Sequence, residues 1–232
     1  MKFTQRPIAA AIAARTSGLG LAAAVLAAAI AFTPGQARAE SDFTSGAGAL
    51  SATARLNFQI TIPRFLFLQV GTGTSFADNG AIDTILFDMT ATPAAIGNGV
   101  AQAGTGGTPG PGAVNARVVG NDFGGAATLS ATTLGAMSNG AGSTISWSEI
   151  AVASPTAITV VPPAASVLNH PGTLTNPFTD GGATTASLTP VGRIINQAAL
   201  WTFSYKNNNV PAAGTYGGAA NNGQVAYTIA MP

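Results

Sequence analysis

The chain has 232 residues, of which 7% are charged, with a formal net charge of +1 and no cysteine. So few basic residues exclude the basic patch that nucleic-acid binding calls for, and they exclude charge-driven binding to anionic membrane. Without cysteine there is no disulfide staple and no lipid-modified thiol, so stability has to come from burial and β-ladders.

Residues 1–39 read as a cleaved secretory signal peptide. Lys2, Arg6 and Arg15 form a positive start, Leu21 to Phe32 an apolar stretch, and Ala37-Arg38-Ala39 an A-x-A cleavage site. The apolar stretch is shorter than the roughly 20 residues a bilayer-spanning helix needs, so no transmembrane anchor is expected in the mature chain. Cleavage after Ala39 removes four basic residues and leaves five basic and eight acidic ones, a net charge of −3. The expected location is the periplasm, the cell surface or the extracellular space. Residues 40–50 are small, polar and glycine-rich, a flexible new N-terminus.

Residues 51–232 form the expected folded domain. Its first element is the clearest alternation in the chain: Ala52, Ala54, Leu56, Phe58, Ile60 and Ile62 on one parity, Thr53, Arg55, Asn57, Gln59 and Thr61 on the other. That period of two predicts a strand with one buried face, on which Phe58→Asp should abolish folding. Pro63 interrupts the ladder, and Phe65 to Val70 is apolar on both parities.

Asp78-Asn79-Gly80 is a turn signal, and 82–89 (IDTILFDM) a second strand. Residues 91–113 read as a long Gly/Ala/Pro-rich loop. Strands are predicted over 114–119, 127–134 and 144–153, the last with a β-bulge near Ser148 or Glu149, because Ile145 and Trp147 share one parity and Ile150 and Val152 the other. That bulge would leave Glu149 facing solvent. Further strands are predicted over 156–161, at an edge over 186–188, over 199–206 and over 225–231. No helical period appears outside the signal peptide. The pattern predicts an all-β fold, a single antiparallel β-sandwich of about eight or nine strands.

Chemistry-bearing residues are sparse. His170 is the only histidine and lies in Leu168-Asn169-His170-Pro171-Gly172, a turn setting. One histidine and no thiol give neither a nucleophilic triad nor a zinc site, so no catalytic residue, cofactor or metal is assigned and no enzyme activity is expected. Asp78, Asp83 and Asp88 are the densest carboxylate cluster; Asp78, Asn79 and Asp83 offer oxygens of the kind calcium takes, but without EF-hand spacing, and turn formation is the simpler role. Trp147, Trp201 and Tyr227 lie on the apolar parity of their strands. Tyr216, in Gly214-Thr215-Tyr216-Gly217-Gly218, is the candidate exposed aromatic for a sugar ligand.

Three features together resemble bacterial exported immunoglobulin-like domains of the spore-coat-U and fimbrial-subunit type. They are the early alternating strand of Ala52 to Ile62, the Gly-Thr-Tyr-Gly segment of Gly214 to Gly217, and the alternating terminal strand of Val225 to Met231. The resemblance implies an immunoglobulin-like sandwich and a secreted structural or adhesive surface protein, a subunit of a fibre, pilus or matrix. The absence of cysteine and the Ala230-Met231-Pro232 ending depart from the usual subunit pattern. A secreted carbohydrate-binding module is the alternative. Partners would be another copy or surface protein, or a glycan. An alternating apolar strand near a chain terminus also suits donation to a neighbouring sheet, with Ala54, Leu56, Phe58, Ile60 and Ile62 as the donor-strand residues. The simpler expectation is that this strand closes its own sheet.

Overall fold

A computed structural model describes residues 41–231 except 74–75 and 173–177, so the expected signal peptide lies outside the described residues. The described residues divide into two units, 41–61 and 62–231. The compact β-rich unit therefore starts at Ile62 and not at Ser51. The strand expected over Ala52 to Ile62 is not formed: residues 51–65 have no regular secondary structure, and 51–61 are exposed throughout.

Thirteen strands occur among the described residues: β1 (Leu66–Val70), β2 (Ile85–Leu86), β3 (Gln102–Ala103), β4 (Thr105–Gly106), β5 (Ala113–Gly120), β6 (Ala127–Thr133), β7 (Met137–Ser138), β8 (Thr144–Ile145), β9 (Ile150–Val152), β10 (Ser166–Val167), β11 (Gly182–Leu188), β12 (Ile195–Tyr205) and β13 (Val225–Ala230). Helix is confined to three short 3₁₀ turns, so the protein is all-β. The largest sheet runs β1-β5-β12-β10, with β3 and β9 also paired to β12, and a second sheet runs β11-β6-β13. All pairs are antiparallel except β10 with β12.

The alternation of β5 and β12 explains their place. Val114, Ala116 and Val118 face the core, as do Ala199, Trp201, Phe203 and Tyr205, and Ala127, Leu129 and Ala131 of β6 join the same apolar cluster. Trp201 is fully buried and its indole N–H donates to the Leu168 carbonyl at 2.9 Å, so the one polar atom of the largest core side chain is satisfied.

Several expectations fail. Residues 156–161 form no strand beyond a single bridge of Thr156 to Leu200. The segment instead caps the outer face of the large sheet, where the buried Arg117 guanidinium donates to the carbonyls of Val161 (3.1 Å) and Pro162 (2.8 Å). The parity change at 148–149 is made by a 3₁₀ turn, Trp147–Glu149, capped by Ser146 accepting from the Ser148 N–H, and not by a bulge. That turn swings Glu149 inward, where its carboxylate accepts from the Asn208 N–H (3.0 Å) and the Asn209 side-chain amide (3.1 Å), so it is buried and not solvent-facing.

The stretch 91–113 is not one long loop. It holds a 3₁₀ turn at Pro93–Ala95 and the short strands β3 and β4. Asn207 orders it: fully buried at φ +59°, a conformation asparagine tolerates better than most residues, it donates to the Ala95 carbonyl (2.7 Å) and accepts from the Gly97 N–H (2.7 Å). The expected second strand shrinks to Ile85–Leu86, and the edge strand near 186–188 lengthens to Gly182–Leu188.

These burials reverse the expectation for Phe58. In dilute solution Phe58→Asp should change unfolding free energy by no more than about 0.5 kcal/mol, since the side chain is 86% exposed. Leu129→Ala, at a fully buried position, should cost about 2–5 kcal/mol. Urea titrations of the two variants check the difference.

Candidate functional site

Two features of the described residues stand out, an exposed apolar segment and a pair of unpaired strand edges. The first is the segment before the first strand. Leu56, Phe58, Ile60 and Ile62 are 66%, 86%, 85% and 72% exposed, and Ala54 on the same parity is exposed too. Burial of each large side chain would be worth roughly 1.5–3 kcal/mol, so four of them left in water at a spacing of two is a costly pattern. Scattered exposed apolar residues need no explanation, but a continuous row of them marks an interaction surface. The donor-strand residues named from the sequence are thus accessible as a set.

The second feature is an open seam in the compact unit. Among the described residues β1 is paired only with β5, and β13 only with β6, so each presents an unpaired edge. The two strands belong to different sheets and approach each other. Arg64, just before β1, reaches the Met231 sulfur just after β13. Their inward side chains Leu68, Val70, Val225, Tyr227, Ile229 and Met231 pack against the core but stay half-buried. The strands of the interior, β5 and β12, bury theirs almost completely. Core residues left half-covered thus lie beside two strand edges that have no partner among the described residues.

His170 packs against Tyr227 of β13. It was expected in a turn, yet its ring is buried among Phe178, Trp201, Phe203 and Tyr227, at centroid distances of 5.3, 4.6, 5.7 and 5.6 Å. Nδ1 accepts from the Gly172 N–H at 2.8 Å, which leaves Nε2 to donate to the Tyr227 hydroxyl oxygen 2.9 Å away. Tyr227 lies on β13, so the imidazole ties that edge strand to the core. Burial pushes the His170 imidazole down to about 4 and raises the Tyr227 phenol, so both are neutral at pH 7. Nothing in the local sequence marks this role; only the packing of residue 227 against residue 170 reveals it.

The other candidates are not brought together. Tyr216 is half-buried and its hydroxyl lies 2.7 Å from the Ala212 carbonyl and 3.0 Å from the Ser143 hydroxyl, so it stands less exposed than the sequence predicts. The Asp83 carboxylate accepts from the Thr72 N–H and hydroxyl and so ties the two ends of the 72–83 loop, and Asp88 accepts from the Thr90 N–H within its own turn. Among the described residues no group of three or more His, Cys, Asp or Glu could hold a metal ion. No helix there is long and apolar enough to cross a membrane. No protein-family model, curated protein or solved structure matches the chain.

The buried imidazole has a signed consequence. Its folded value lies below its ordinary 6.5, so its contribution is fully present above pH 6.5 and is lost as pH falls toward 4. Between pH 7 and pH 4 this group should remove about 3 kcal/mol of stability. The difference in pH dependence between the parent and His170→Gln, measured by urea unfolding at both pH values, isolates the effect from the carboxylates.

Proposed function

We propose that this chain is an exported structural or adhesive surface protein, a subunit of a fibre, pilus or extracellular matrix, folded as a single immunoglobulin-like sandwich. Subunits join by strand donation. Ala54, Leu56, Phe58, Ile60 and Ile62 of one copy enter the seam between β1 and β13 of the next.

The observation that carries the reading is the pairing of a surplus with a deficit. One segment exposes apolar side chains at strand spacing, and one seam leaves apolar side chains half-covered beside two unpaired edges. A donated strand would add backbone hydrogen bonds for affinity, and alternate side chains would set the register. Eleven residues from Ala52 to Ile62 reach about 36 Å as a strand, more than the six residues of β13 require. The low charge of the chain supports the same reading, since few charges oppose close association.

Electron microscopy and light scattering of the full-length protein test this. Concentrated protein should form chains, a synthetic Ser51 to Ile62 peptide should bind the protein and shorten them, and Phe58→Asp should abolish the chains. A parent protein that forms no chains when concentrated and binds no such peptide would sink the proposal.

A further inference from the structure

The small sheet has a second open side. β11 is paired with β6 alone among the described residues, in an unbroken register from Gly182↔Thr133 to Leu188↔Ala127, and the order β11-β6-β13 places it away from the β13 seam. Exposed edge strands are ordinarily guarded by charge, proline or a bulge, because their unpaired N–H and C=O groups template pairing with another chain. β11 has none of these. Its sequence is GATTASL, no charged residue occurs from Gly181 to Gly192, and proline first appears at Pro190. Asp180, the nearest charge, is turned to the body, where it accepts from the Trp147 N–H at 2.7 Å. Ala183, Thr185 and Ser187 are exposed.

We infer that β11 is an interface between two copies of this chain. The two strands pair antiparallel across a two-fold axis at Thr185 and merge two three-stranded sheets into one of six strands. The occupant is a second copy because the edge is complementary to itself. About that axis Thr185 opposes Thr185, Thr184 opposes Ala186, and Ala183 opposes Ser187, with no like charges facing and threonines paired. The contact leaves β1 and β13 untouched, so it is independent of strand donation. One such contact is small; repeated along a chain of subunits it joins chains side by side by avidity.

Because the chain has no cysteine, Thr185→Cys introduces the only thiol. Opposed residues in an antiparallel pair have Cα atoms about 4.5–5.5 Å apart, within disulfide reach. The cross-linking is done in the Phe58→Asp background, where head-to-tail donation is disabled, so the two associations succeed or fail separately. Under oxidising conditions Thr185→Cys should give a covalent dimer and Ser187→Cys alone should not. A mixture of Ala183→Cys and Ser187→Cys proteins should cross-link. Ala183→Lys, in the same Phe58→Asp background but without the cysteines, should shift the sedimenting species from dimer to monomer. No cross-link from Thr185→Cys, or equal cross-linking by Thr185→Cys and Ser187→Cys, would overturn the inference.

Discussion

The structure depends on β12 having a partner on both sides. Its first eight residues pair with β5, from Ile195↔Gly120 to Thr202↔Ala113, and its opposite edge takes β10, the Thr156 bridge and β9 in turn. A strand whose side chains include fully buried Trp201 cannot leave backbone N–H and C=O groups unpaired, because no water reaches them. That demand draws in segments far apart in sequence, several contributing only two or three residues. It explains why β3, β9 and β10 are short: they satisfy β12 rather than carry their own apolar face.

A chain with so little charge builds its loops around a few buried polar groups. Arg117 fastens the 160–163 segment over the outer face of the large sheet, Glu149 gathers Asn208 and Asn209, and Asn207 organises the 95–100 region. Each works by offering several donors or acceptors to carbonyls or amides that would otherwise go unbonded. Each is also a point where truncation would leave buried groups without partners, which costs more than the bond itself contributes.

The same accounting, applied to the edges, locates the surfaces that matter. Among the described residues β5, β6 and β12 are paired on both sides, whereas β1, β11 and β13 are paired on one. Apolar residues at β1 and β13 remain half-covered, so that seam combines a hydrogen-bonding deficit with a hydrophobic one. β11 shows the hydrogen-bonding deficit alone. This difference in kind separates the two edges physically: one lacks apolar cover as well as backbone partners, the other backbone partners only.

The sequence by itself determined the fold class and the strands that carry the core. The alternations in 114–119, 127–134, 199–206 and 225–231 became β5, β6, β12 and β13, because period-two burial is a local property that survives any arrangement of neighbours. It also singled out Ala52 to Ile62 as apolar at strand spacing, correctly as a pattern and wrongly as an internal strand. Pattern records which face could be buried, not whether the fold buries it. Only the tertiary structure decided that Thr156 to Val161 caps a sheet, that Glu149 turns inward and that His170 anchors β13. Each of those outcomes rests on a partner 30 or more residues away, Arg117, Asn208 and Tyr227, which no local window contains.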